Sequence, residues 1–185
     1  KFLKRYLEED ARDNVSSHDF GKNIIPKMLS AGARMYSYAF NGYWKDVGTI
    51  SSLWEANMDL LEDEPELNLH DSSWKVYSVN PAMPPHYVSP EAKVKKSLIS
   101  EGAVVYGEVE NSVIFSGVKI AKGAKVINSV VLPFTHIKEG ACVDKAVVGQ
   151  NCEIGKGAVV KATDGSITVV PEGEVVQSDA AKQVG

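Results

Sequence analysis

The sequence predicts an α/β region in the first third of the chain, followed by an all-β region of stacked parallel coils. Three observations carry that reading. Segments 111–127, 128–144 and 145–161 align without a gap at a period of 17 residues. At matching places they carry Ile120, Ile137 and Ile154, then Gly123, Gly140 and Gly157, then Ala124, Ala141 and Ala158, then Val126, Val143 and Val160. Self-similarity at a fixed short period marks a solenoid, whose repeats bury their apolar sides only by stacking. Ahead of the repeat, apolar residues recur at helical spacing between capping residues and turn dipeptides instead.

In chain order, Phe2, Leu3, Tyr6 and Leu7 share one face of a helix that fades in the polar stretch 8–14. Ser16, Ser17, His18 and Asp19 are N-cap candidates for a second helix with Phe20, Ile24, Ile25, Met28 and Leu29 as its apolar set. Pro26 predicts a kink or restart inside it, and Gly32 ends it. Residues 35–40 alternate weakly and read as a strand, and Asn41-Gly42 is turn chemistry. Thr49 then caps a helix to about Leu61, with Leu53, Trp54, Met58 and Leu61 turned inward. From 62 to 87, acids together with Pro65, Pro81, Pro84 and Pro85 predict a linker that packs against both halves.

Beyond the linker the rhythm is aliphatic, then small four residues later. The aliphatic places are Ile99, Val105, Ile114, Ile120, Val126, Val131, Ile137, Val143, Val148, Ile154 and Val160. Their expected small partners include Ala103, Val109, Val118, Ala124, Val130, Thr135, Ala141, Val147, Cys152 and Ala158. A helix would rotate by about 600° over six residues and carry such a stripe off any one face. A triangular coil of three short strands keeps it inside, and the small residues are needed where three sides converge on one axis. Residues 88–177 hold about five such coils, a prism roughly 24 Å long at parallel-strand spacing. An ordinary β-sandwich is the alternative, but it has no reason to keep Gly-Ala in register three times.

Composition narrows the classes. The net charge is −4, and Lys93, Lys95 and Lys96 form the one basic group, so the sequence predicts no nucleic-acid partner. No apolar run is long enough to span a bilayer. Of the two cysteines, Cys152 occupies a small inward place and Cys142 points outward. With no paired-cysteine motif, the expected setting is a reducing cytoplasm. Lys1 opens a helix-like stretch, the expectation being that the chain is the middle and end of a longer protein.

Two motifs are more specific. Ser17-His18-Asp19-Phe20-Gly21-Lys22-Asn23-Ile24-Ile25-Pro26 and Gly42-Tyr43-Trp44-Lys45-Asp46-Val47-Gly48-Thr49 are joined by Leu53-Trp54-Glu55-Ala56-Asn57-Met58-Asp59-Leu60-Leu61 and Tyr77-Ser78-Val79-Asn80-Pro81. Together they resemble the bacterial ADP-glucose pyrophosphorylases (glucose-1-phosphate adenylyltransferases). The resemblance implies the end of a Rossmann-like nucleotidyltransferase domain over 1–61, a linker over 62–87, a left-handed parallel β-helix of hexapeptide repeats over 88–177 and a tail over 178–185. It implies a family reaction in which glucose 1-phosphate attacks the α-phosphorus of ATP, giving ADP-glucose and pyrophosphate for glycogen synthesis. It further implies Mg²⁺, a homo- or hetero-tetramer and a cytoplasmic location.

In related nucleotidyltransferases an aspartate at the Tyr-Trp-x-Asp position helps hold the metal, and here it is Asp46. By itself Asp46 is a loop acid three residues ahead of an N-cap, where a solvated or helix-dipole role is ordinary. Within the motif it becomes the expected catalytic and metal-binding residue, since Mg²⁺ takes one or two carboxylates plus phosphate. His18 and Asp19 stand at a helix start, where capping is the simpler role. Tyr43 and Trp44 are expected to be packing or pocket wall around the Asp46 loop, and Lys22 and Lys45 receive no role.

The family's Gly-rich nucleotide loop and its sugar-phosphate lysine have no counterpart among these residues, so the chain is expected to be inactive alone. One alternative is a non-catalytic regulatory or assembly subunit of the same enzyme. Another is a hexapeptide-repeat acyltransferase, whose candidate base would be His136 at a corner of the prism.

Overall fold

The computed structural model describes residues 2–79 and 81–178. The expected tail over 178–185 therefore lies, from 179 onward, outside the described residues. The chain divides into two compact units, Lys1–Asn41 and Gly42–Gly185.

In the first unit, helix α1 (Phe2–Asp10) is followed by a wide π-type turn (Phe20–Ile24) that passes directly into α2 (Ile25–Ser30). Asp19 caps the turn by accepting the Lys22 N–H at 2.7 Å. Pro26 stands in the first turn of α2, where its missing N–H leaves no helical bond unmade. The restart expected at Pro26 is thus present. Tyr6, Ile24 and Met28 form a small buried cluster. The strand expected over 35–40 is absent: Met35, Tyr36, Tyr38 and Phe40 belong to an irregular segment and are exposed. Alternation makes a strand only when a neighbouring strand completes it, and the first unit has no strand among its described residues.

The second unit begins with the 43–49 loop and α3 (Ile50–Asp59), whose Thr49 and Ser52 form a reciprocal capping box. The solenoid follows in triplets of short strands. They are β1 (Tyr87–Val88), β2 (Lys93–Lys95), β3 (Leu98–Ile99); β4 (Val104–Val105), β5 (Glu108–Glu110), β6 (Val113–Ile114); and β7 (Lys119–Ile120), β8 (Lys125–Ile127), β9 (Val130–Val131). Next come β10 (His136–Ile137), β11 (Cys142–Asp144), β12 (Ala146–Val148); β13 (Glu153–Ile154), β14 (Val159–Val160), β15 (Thr168–Val170); and finally β16 (Val175–Val176). Every third strand pairs in parallel, giving three sheets in the orders β1-β4-β7-β10-β13-β16, β2-β5-β8-β11-β14 and β3-β6-β9-β12-β15.

Identical positions stack inside. Val105, Ile120, Ile137, Ile154 and Val176 are in register on one face. Val94, Val109, Val126, Val143 and Val160 make the second ladder, and Ile99, Ile114, Val131, Val148 and Val170 the third. Each fully buried rung contributes roughly 1.5–3 kcal/mol, while Val94, at the end of its ladder, is still 38% exposed. Cys152 is in this core and Cys142 is half-buried on the outside, as the rhythm predicts.

Three of the small-partner assignments need correction. Val109 is not a small corner partner but a rung of the second ladder. Here the chain takes four residues from Val105 to Val109, where later coils take six from Ile120 to Val126 and from Ile137 to Val143. Val130 and Val147, by contrast, face outward. On these five-residue sides the inward small place falls three residues after the aliphatic one, on Ser129 and Ala146.

The serines do structural work at that corner. Ser97 Oγ accepts the Ser112 N–H, Ser112 Oγ the Ser129 N–H and Ser129 Oγ the Ala146 N–H, at 3.0–3.1 Å. Outward Val130 is nevertheless only 1% exposed. Helix α3 lies against β12 on this face, and Trp54 Nε1 donates to the Asn128 carbonyl at 2.8 Å.

The corners use left-handed backbone. Lys96, Asn111, Asn128 and Lys145 have φ of 44–50°, and Gly123, Gly140 and Gly157 have φ of 68–74°. The extra residues between β14 and β15 form an outer loop, where Asp164 accepts the Ser166 N–H at 2.8 Å and Lys145 donates to the Gly165 carbonyl. Among the described residues no helix is long and apolar enough to cross a membrane.

Two glycines separate conformational from steric demands. A methyl at Gly140 would touch nothing within 4 Å, whereas one at Gly107, in the shortened turn, would sit 2.3 Å from the Ala124 carbonyl oxygen of the next coil. Gly140→Ala should therefore cost about 1–2 kcal/mol, the price of left-handed backbone for an L-residue. Gly107→Ala should cost more, because backbone must move. Urea unfolding measures both, and equal costs would contradict this packing.

Candidate functional site

Asp46 sits in the loop that precedes α3. The capping box fixes where the loop enters the helix, with Thr49 Oγ1 accepting the Ser52 N–H at 3.2 Å and Ser52 Oγ accepting the Thr49 N–H at 3.1 Å. Inside the loop, Asp46 Oδ1 accepts the Gly48 N–H at 3.0 Å, a local turn that orients the carboxylate. Asp46 is exposed and makes no other side-chain hydrogen bond among the described residues.

The start of the loop is tied to the other end of α3. Tyr43 Oη donates to Asp59 Oδ2 at 3.1 Å, and Lys45 Nζ donates to the same oxygen at 2.8 Å. Glu55 lies 3.5 Å from Lys45. The hydrogen bond to Asp59 holds the Lys45 ammonium above its ordinary pKa, with Glu55 adding to it. Burial, then the Asp59 bond, pushes the Tyr43 phenol up. Lys45 is thus committed within the protein rather than offered to a phosphate. Trp44 is 76% exposed, so of its two expected roles packing around the loop is not met.

Sequence reasoning missed Asp59 because an acid at a helix end has no pattern that names its partner. The adjacent cavity of about 310 Å³ is lined by Tyr43, Asp59, Glu62, Glu64, Pro65 and Glu66. Its charge opposes phosphate. Among the described residues no three His, Cys, Asp or Glu side chains converge to hold a metal ion. Asp46 offers a hard oxygen ligand of the kind Mg²⁺ takes, and any further ligands lie outside this cluster.

The front unit brings together residues the sequence left apart. Asp10, only 6% exposed, accepts Ser16 Oγ–H at 2.7 Å on one oxygen and meets His18 Nδ1 at 2.9 Å on the other. The Ser16 bond, then that of His18, holds the Asp10 carboxyl below its ordinary range against the opposing effect of burial. His18 adopts φ 54°, which turns its ring toward α1. Its partner is therefore Asp10 and not Asp19, which serves as the cap. Asp10 lies in the stretch where the helix was expected to fade, which hid it.

His136 is on strand β10, not at a corner, in a row with Lys119 and Glu153. It lines a shallow groove of about 220 Å³ with Val104, Tyr106, Lys119 and Lys138 among its walls. Burial, then the charges of Lys119 and Lys138, hold its pKa below the ordinary 6.5. Its ring makes no hydrogen bond among the described residues, so no second group orients it as a base.

Comparison with known proteins covers both parts of the chain. A family model described as GlmU-like, C-terminal hexapeptide matches residues 85–178, and one described as nucleotidyl transferase matches 1–63. The glucose-1-phosphate adenylyltransferase of Clostridium perfringens (strain 13 / Type A) is 53% identical over 186 residues, covering 97% of this chain and 47% of that protein. That of Desulforamulus reducens is 50% identical over 182 residues, covering 95% and 46%. That of Clostridium acetobutylicum is 62% identical over 122 residues, covering 66% and 32%. The chain spans about half the length of the first two relatives. The hexapeptide match fits the three-sided parallel solenoid as a left-handed β-helix.

The surroundings of His136 have a measurable consequence. A histidine whose folded pKa is depressed binds fewer protons folded than unfolded as pH falls below about 6.5. Stability should therefore decline from pH 7.5 toward 5.5, and His136→Gln should lessen that decline. Thermal unfolding of both proteins at the two pH values decides it, and identical pH dependence would contradict the assignment.

Proposed function

Since the chain belongs to the GlmU-like C-terminal hexapeptide family and is homologous along most of its length to glucose-1-phosphate adenylyltransferases, we propose that it is the carboxyl-side part of such an enzyme. The parent joins ATP and glucose 1-phosphate: a phosphate oxygen of the sugar phosphate bonds to the α-phosphorus, the bond to the β-phosphate oxygen breaks, and pyrophosphate leaves. Residues 1–61 complete the nucleotidyltransferase domain, 62–87 link, and 88–177 form the β-helix.

The observation that carries this reading is Asp46 itself. It is an exposed carboxylate, turned by its own Gly48 bond, on a loop pinned at both ends of a capped helix. In the parent it holds Mg²⁺ together with groups from elsewhere in the protein and the phosphates. A bound Mg²⁺ would offset charge gathering on the phosphoryl oxygens. Held rigidly, Asp46 needs no reorganisation when that charge develops. The remaining partners follow from the same reading: a tetramer assembled with help from the solenoid, in the cytoplasm.

Two measurements test the proposal. The 185-residue chain mixed with ATP, glucose 1-phosphate and Mg²⁺ should release no pyrophosphate, while the full-length parent should. In the parent, Asp46→Asn should lower kcat by at least about 100-fold, as loss of a metal clamp worth several kcal/mol implies. Turnover by the chain alone, or an Asp46→Asn parent of normal rate, contradicts it.

A further inference from the structure

We infer that Asp59 is a positioning residue for Asp46, acting through Tyr43 and Lys45; this rests on Asp46 being a metal carboxylate. Helix α3 has ten residues and is about 15 Å long. The seven residues 43–49 run back along it. At one end the Thr49–Ser52 box holds the strap, and at the other a single oxygen, Asp59 Oδ2, takes bonds from both Tyr43 and Lys45. Tyr43 and Lys45 are alternate residues, so both bonds fix the direction in which the chain enters Asp46. A strap held at one end could swing its carboxylate, whereas one held at both ends cannot.

The bonds are of the kind that hold. The Lys45 side chain is 26% exposed, and its 2.8 Å contact to Asp59 is charge-assisted. The arrangement also extends to the solenoid, because α3 is seated on the outer face by the Trp54 bond to the Asn128 carbonyl and by its packing on β12. The orientation of Asp46 is thus referred, through Asp59 and α3, to the rigid prism. The Asp59 carboxylate bonds Tyr43 and Lys45 alone among the described residues, and its effect is carried by the geometry of the strap.

The test uses two preparations. In the 185-residue chain, Asp59→Ala should speed amide hydrogen exchange at Gly48 and its loop neighbours about tenfold or more, while β9 and β12 amides keep their protection. In the full-length enzyme the same substitution should raise the Mg²⁺ concentration for half-maximal rate by about tenfold, as loss of an outer partner of a metal ligand does. The KM for glucose 1-phosphate should hold, and Asp59→Glu should restore part of the loss. If Asp59→Ala disturbs the solenoid amides, Lys45→Met and Tyr43→Phe carry the same readouts singly. Unchanged loop exchange in these variants overturns the inference. Faster loop exchange with an unchanged Mg²⁺ requirement also overturns the positioning role. Should Asp46→Asn leave that requirement unchanged, it is the reading of Asp46 that fails, independently of the strap.

Discussion

Room on the axis of the prism is the constraint from which the rest of the second unit follows. Three sides deliver side chains to one line, so each side can supply one aliphatic residue and must keep its corner residue small. Ala103, Val118, Thr135 and Cys152 meet that demand at one corner, Ala124, Ala141 and Ala158 at another, and Ser112, Ser129 and Ala146 at the third. Turning so sharply forces left-handed backbone at the corners, which Asn111 and Asn128 tolerate better than most residues. Asn128 Oδ1 accepts from the Asn111 side chain at 2.9 Å, while the Asn128 carbonyl receives Trp54. A corner imposed by packing therefore also becomes the seat of α3.

Stability resides in those ladders rather than in the ion pairs that decorate them. Lys95–Glu110, Lys122–Glu91 and Lys156–Glu139 link exposed side chains at 2.6–3.0 Å. Such surface pairs contribute about 0–1 kcal/mol each and are screened by salt. Their repetition keeps the outer faces polar where no helix covers them. The face under α3 is different, with outward Val113, Val130 and Val147 all buried.

Much of this was legible in the sequence. Gly-Ala in register at 17 residues gave the stacking and the inward direction of the aliphatic residues from Ile99 to Val160, because a solenoid repeats one local solution; the rungs Val94, Val170 and Val176 at its ends fell outside that reading. It hid the outward valines, since Val130 and Val147 match the four-residue rule and only a five-residue side shows that the rule has slipped. It hid the short turn at Gly107, where a missing pair of residues turned Val109 from corner to rung. The Asp46 loop and its Thr49 cap were visible as local chemistry. The partner of that loop was not, since Asp59 is 14 residues from Lys45 and 16 from Tyr43; nor, in the first unit, was Asp10, eight residues from His18. Long-range polar pairing has no period to read. Residues 35–40 failed for a related reason, since alternation specifies a strand only when a neighbour exists to complete it.

Function, on this account, depends on joining a flexible kind of element, a seven-residue loop, to an inflexible one. Native-state amide exchange of the 185-residue chain, followed through low denaturant, tests that junction most directly. If α3 is an integral part of the prism, the amides of Leu53, Trp54 and Met58 and those of β9 and β12 should converge on one opening free energy. If the α3 amides exchange through a separate, much lower-energy opening while the ladders stay protected, the helix is only resting on the solenoid and the account is wrong.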